Sequence, residues 1–304
     1  MGSPGPAAVT PADPLPHPES PDPQRLAAAE ACCHRLAGHL FPWDITRSLE
    51  LALLRTFSVP SISGLLVQTG EFEQRPRKRY DDTGLMVAEL LRHGLNSAAS
   101  SAVIERMNRI HGHYAISNDD FLYVLSTFVA EPIRWIARYG WRALSQEEQQ
   151  HLFVFWQAVG ERMGLHHLPA SLEELLSLNR RVESESFAYA VSNRRVANAT
   201  LTMLLSDWPA GLRPLLRTTL MGLLDAPLCD SLGWSRPPTG IEQVVLLALR
   251  TRSRSSGMSQ WLRQGLGQEG RSHFYSQSPT PSYGASFRLE QLGPPTLLDR
   301  LNRP

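Results

Sequence analysis

Cysteine is scarce in this chain: only Cys32, Cys33 and Cys229 occur among 304 residues. Two are adjacent and the third is remote, so neither a disulfide framework nor a Cys-x-x-Cys zinc spacing can be drawn. So few thiols, with no pairing pattern, fit a reducing compartment. Long apolar runs are missing as well. The longest, around Phe121–Ala130 and Ile241–Leu249, fall well short of the ~20 apolar residues that span a bilayer. Charge of one sign is also lacking, since 30 basic and 29 acidic residues leave a net +1. That balance gives no electrostatic footing for nucleic acid or an anionic membrane. The first residues carry no basic stretch followed by an apolar one, so no secretory leader is expected. The expectation is a cytoplasmic protein with no membrane span.

Strand-like alternation is nearly absent, and no internal repeat, GxSxG elbow, P-loop or dinucleotide fingerprint occurs. What is present is helical periodicity in a chain of ordinary globular composition, 42% apolar and 19% charged. Residues 1–23 are dominated by Pro, Ala, Ser and Asp and are expected to be disordered. Residues 24–251 read as one all-α domain of about nine or ten helices with a buried pocket. Helices are expected over Arg25–Leu40, Thr46–Phe57, Lys78–Arg92 and Asn96–His111. Ser58–Glu73, with Pro60, Gly64 and Gly70, reads as loops. Ser117 opens a long helix that Pro132 is expected to kink or break. Capping boxes at Ser145/Glu148 and Ser171/Glu174 open two more helices, to Met163 and to about Tyr189. Asn193–Ser206, Leu212–Leu224 and Ile241–Thr251 complete the set. Residues 252–304, rich in Ser, Gly, Pro and Arg, are expected to form an irregular tail.

Two short segments carry the functional signal. In Met107-Asn108-Arg109-Ile110-His111-Gly112-His113, helical spacing puts Ile104, Met107 and His111 on one apolar face. His113 falls instead with Arg106 and Arg109 on a polar face. A neutral inward imidazole suits an iron ligand. A core histidine satisfied by a backbone carbonyl fits the same spacing. The second segment holds Arg79 and Thr83, an i, i+4 pair on one helix face. Such a pair can project into a pocket, or can simply begin a solvated basic helix beside Arg75, Arg77 and Lys78. Glu148-x-x-His151 has the form of a di-iron half-site. That architecture needs a second copy and two more carboxylates, and only one copy is present. Trp135, Trp141 and Trp156 sit at helical spacings expected of core.

Several stretches together resemble a known family. They are Thr69-Gly70-Glu71-Phe72, Arg79-x-x-x-Thr83, Met107 through His111 and Ser117 through Tyr123. Glu131-Pro132-Ile133-Arg134, Gly140-Trp141-Arg142 and Phe155-Trp156 through Gly164 extend the match. In order and spacing they resemble the catalytic domain shared by rubber oxygenases (latex clearing proteins) and the ER-bound oxygenase MpaB, and lie closer to the MpaB branch. The resemblance covers about residues 40–250. It implies an all-helical haem b protein in which His111 stands at the proximal iron ligand. Met107 stands beside the cofactor, and Arg79 and Thr83 stand on the distal, oxygen side.

One position departs from the pattern. Rubber oxygenases carry a lysine just before the threonine, and here that position is Asp82. A lysine-capped resting state is therefore not expected. The implied activity is haem-dependent oxidative cleavage of a carbon–carbon double bond by O2, in an apolar, isoprenoid-like small molecule. The alternative is a haem- or apolar-ligand-binding sensor or accessory protein without turnover.

Overall fold

A computed structural model describes residues 22–238, 240–265 and 272–303. The segment expected to be disordered, 1–23, therefore lies outside the described residues up to residue 21. Among the described residues the secondary structure is helical, with fourteen α-helices and no strand.

Helix α1 (Pro23–Arg35) starts where Asp22 accepts the Gln24 N–H at 3.1 Å and Pro23 takes the first helical position. It passes through a π-helical turn, Leu36–Leu40, into α2 (Pro42–Thr56). The stretch 58–73, expected to be loops, is instead two helices, α3 (Pro60–Thr69) and α4 (Glu71–Gln74). Pro60 supplies a preset first turn, and Gly70 at φ 68° ends α3 in the left-handed region that glycine adopts without strain. The breakers thus mark the ends of short helices. Helices α2 and α3 meet at 97°.

Helices α5 (Pro76–His93) and α6 (Ala98–His111) follow, then α7 (Asn118–Tyr139). Ser97 and Ser117 cap the last two by accepting the N–H of Ser100 and Asp120. Of the two outcomes expected at Pro132, a kink or a break, the break does not occur, and α7 runs on to Tyr139. An interior proline costs about 3 kcal/mol through a lost hydrogen bond and a steric clash. Here α7 is the packing centre, lying against α2, α8 (Gln146–Arg162) and α9 (Leu172–Ser186), and that burial outweighs the loss. Leu122, Leu125, Val129, Trp135 and Ile136 form its buried face. Fully burying one such side chain contributes roughly 1.5–3 kcal/mol.

The Ser145/Glu148 capping box forms with both hydrogen bonds, at 3.1 and 2.9 Å. The second box is incomplete: Ser171 caps Glu174 N–H, but the Glu174 carboxylate reaches Ala170 N–H instead. Helices α10 (Val191–Ser206), α11 (Arg213–Met221), α12 (Ala226–Leu232) and α13 (Ile241–Gly265) complete the body. Helix α13 runs past residue 251, so the expected domain edge at 251/252 falls inside a helix. No single described helix is long and apolar enough to cross a membrane.

Residues 272–303 form 3-10 turns and a short α14 (Leu298–Leu301), laid over α5 and α6. Three cations on those helices donate to carbonyls of this segment. Lys78 reaches Gln291 O and Gly293 O at 3.1 and 2.9 Å. Arg106 reaches Glu290 O and Leu292 O, and Arg109 reaches Arg303 O. The polar face expected for α6 is thus partly covered, and Arg106 is buried. Periodicity could not tell a solvated cation from one that binds distant carbonyls.

Candidate active site

Helices α2 to α8, with the π-helical turn and the C-terminal segment, line a cavity of about 330 Å³. Its wall is largely apolar, with Leu49, Leu53, Ile62, Leu65, Leu66, Phe72 and Val87 on one side. Phe121, Val124, Phe128, Trp156 and Met163 come from α7, α8 and the residue after it. Arg79, Thr83, Met107 and His111 all line this one cavity. His113 does not. It is exposed, with Nδ1 at 2.7 Å from Arg109 O. Two segments some thirty residues apart meet here because α5 and α6 pack against each other.

His111 sits at the last residue of α6, its ring edge-on to Phe121 with centroids 5.2 Å apart. Its Nδ1 is buried and has no hydrogen-bond partner among the described residues. Burial, and then the positive charge of Arg79, push its pKa from 6.5 down to about 4. The imidazole is therefore neutral at physiological pH, the form that ligates metal.

Arg79 is the sole lysine or arginine among the described residues that line the cavity. Burial lowers its pKa, and it forms no ion pair within 4 Å among the described residues. The guanidinium lies over the Phe72 ring at 5.3 Å and donates to Thr83 Oγ1. The Thr83 hydroxyl donates in turn to Arg79 O at 3.1 Å.

Every lining carboxylate, by contrast, has a partner. Glu71 takes two hydrogen bonds from Arg75, at 3.0 and 2.7 Å. Glu50 accepts from Tyr80 Oη at 2.6 Å and pairs with Arg47 at 2.8 Å. Asp120 accepts from Ser61 Oγ at 2.8 Å. Asp82, the position that departs from the rubber-oxygenase lysine, is held by Lys78, Tyr283 and the N–H of Gly293. Lys78 pairs with its charge, and among the carboxylates Asp82 acts most strongly on Arg79 without forming an ion pair with it. Among the described residues, the cavity therefore holds one cation that no carboxylate pairs with directly and one neutral imidazole whose Nδ1 has no partner. A buried charge or polar atom left in this way is costly, and a bound group supplying an anion and a metal would offset that cost.

This donor set fits haem b, with His111 to hold iron and Arg79 to meet negative charge. Sequence reasoning missed Glu50, Glu71 and Tyr80 as lining residues. Thr69-Gly70-Glu71-Phe72 was noted as a motif, but nothing local pointed Glu71 inward. Glu148, the carboxylate of the di-iron reading, is occupied by Ser145 N–H and by both terminal nitrogens of Arg142, at 2.6 and 2.7 Å.

Residues 49–254 match the family described as ER-bound oxygenase mpaB/B'/Rubber oxygenase, catalytic domain. The chain belongs to this family. ER-bound oxygenase mpaB' of Penicillium brevicompactum is 28% identical over 230 residues, which is 70% of this chain and 54% of that protein. ER-bound oxygenase mpaB of Penicillium roqueforti is 29% identical over 192 residues, 57% of this chain and 64% of that protein. This chain thus spans little more than half to under two thirds of these relatives. Among solved structures, latex clearing protein LCP in the closed state aligns with a TM-score of 0.51 at 16% identity. The alignment covers 81% of this chain and 70% of that one. At that identity the likeness speaks for the fold alone.

Proposed function

We propose that this protein is a haem b-dependent oxygenase that uses O2 to cleave a carbon–carbon double bond in an apolar, isoprenoid-like small molecule. The observation that carries the reading is the meeting, in one apolar cavity, of a neutral imidazole with an unpartnered Nδ1 and a guanidinium that, among the described residues, forms no ion pair. Membership of an oxygenase family supplies the reaction class.

When bound, haem supplies the activation of dioxygen that the side chains cannot supply themselves. The chain's own residues do the rest. His111 stays neutral because burial and Arg79 disfavour its protonation, so it is ready to hold iron. Arg79 carries its guanidinium charge and stabilises negative charge that develops in the cavity. Thr83 fixes the guanidinium by accepting from it, and its own hydroxyl is oriented by the helix carbonyl. Phe121, Val124 and Phe128 offer an apolar surface that an alkene chain can occupy. Asp82 gives no ground for the alternative of a non-catalytic binding protein, since Lys78 and Tyr283 already satisfy it.

A cytoplasmic location belongs to the same proposal and rests on three cysteines that are all free and buried. Subcellular fractionation tests it, and a membrane-pellet signal resistant to high salt would count against it. The activity is tested by oxygen uptake with geraniol, farnesol and geranylgeraniol on haem-supplemented protein, with mass spectrometry of the products. The reading expects uptake matched by two carbonyl fragments per substrate. Haem binding without uptake on any apolar alkene would favour the binding-protein alternative.

A further inference from the structure

The C-terminal segment 272–303 lies outside the family match at 49–254, yet it supplies part of the cavity wall. Phe274 is buried, with its ring against His34 at 4.9 Å between centroids. The fit of this segment to the helices is close. A Cβ added at Gly38, in the π-helical turn, would stand 2.6 Å from the Phe274 ring. A Cβ at Gly84, on α5, would stand 3.0 Å from the Tyr275 ring. At Gly38 a side chain would overlap the Phe274 ring unless the ring shifted, and at Gly84 the Tyr275 ring would have to give by a few tenths of an ångström. The His273 N–H donates to Gly38 O at 2.8 Å, fixing the rings at that spot.

Buried carboxylates on α5 hold the segment in place. Asp81 accepts from Tyr275 Oη at 2.7 Å and from Ser282 N–H at 3.0 Å. Asp82 accepts from Tyr283 Oη and from Gly293 N–H. These two residues lie between Arg79 and Thr83, so the segment is bolted to the helix that carries the cavity's cation.

We propose that residues 273–275 are a selectivity wall of the cavity, and that Phe274 sets the length of apolar chain it accepts. The proposal rests on the apolar-ligand reading above. On it, Asp82 anchors a wall that lies outside the residues matched to the family domain.

The test is calorimetric titration of the full-length, haem-loaded protein with geraniol, farnesol and geranylgeraniol, in wild type, Phe274→Leu and Phe274→Ala. The expected result is graded: geranylgeraniol binds about tenfold more tightly in Phe274→Ala, less so in Phe274→Leu, and geraniol is unchanged. Equal changes at all three lengths, or none, overturn the proposal. If wild type binds no member of the series, the apolar-ligand reading fails, and the wall is judged by hydrogen exchange in Tyr283→Phe. Faster exchange in 272–303 together with α5 residues 79–88 supports a wall that seals the cavity, and faster exchange in 272–303 alone overturns it.

Discussion

At the scale of single residues the account turns on what is paired and what is not. Four lining carboxylates have partners, while among the described residues the Arg79 guanidinium donates to the Thr83 hydroxyl, lies over the Phe72 ring and forms no ion pair. Arg79→Gln keeps a donor but removes the charge. It is expected to lower the rate of oxygen uptake by about 10²–10³-fold, the usual cost of losing one charge-stabilising donor, with haem absorption retained. Steady-state oxygen electrode rates beside the absorption spectrum check this. An unchanged rate would show that Arg79 is not the stabilising cation. Helical phase was enough to separate His111 from His113, because Ile104 and Met107 mark the inward face. Spacing also put Arg79 and Thr83 on one face. The environment of Asp82 was not legible, since Tyr283 and Gly293 lie some two hundred residues away in the chain.

Among the elements, α8 shows where sequence chemistry and structure agree. Glu148 closes the capping box and binds Arg142 through both oxygens, and Arg142 with the box holds its pKa below the usual 4.5. The sign of the linkage follows. As pH falls, the unfolded chain binds this proton first, so stability is fully present above about pH 4.5 and is lost as pH drops through the folded pKa. Glu148→Gln is expected to flatten that part of the acid limb and to cost about 1–2 kcal/mol at neutral pH. Urea titrations across pH measure both. Haem absorption should not change, whereas a di-iron role for Glu148 requires loss of iron. Elsewhere the reading of elements erred where tertiary contact decides the outcome. Helices α3 and α4 are too short to show a period, and α7 continues through Pro132 because its packing partners hold it.

At the scale of the whole molecule, a largely buried ionic cluster ties α2, α7 and α9 to the cap of α12. Glu131 accepts from Arg134 at 2.7 Å and pairs with Arg55 at 3.0 Å. Arg55 also pairs with Glu183 and Asp225. Glu131→Gln removes one charged partner from each of Arg55 and Arg134, leaves Glu183 and Asp225 to balance them, and is expected to cost about 1–3 kcal/mol. Thermal unfolding measures it, and a loss under 1 kcal/mol would show that Glu183 and Asp225 compensate. The helical class, the large domain and the two facing segments of the site were legible in the chain because each is written in local periodicity. The C-terminal wall was not, because its binding is done by backbone carbonyls and single tyrosines that carry no period. The central claim is that His111 holds haem in this cavity. The most direct measurement is the absorption spectrum of haem-supplemented wild type, His111→Ala and His113→Ala. The account predicts a Soret band in wild type and in His113→Ala and its loss in His111→Ala. A full band in His111→Ala, or none in wild type, would contradict it.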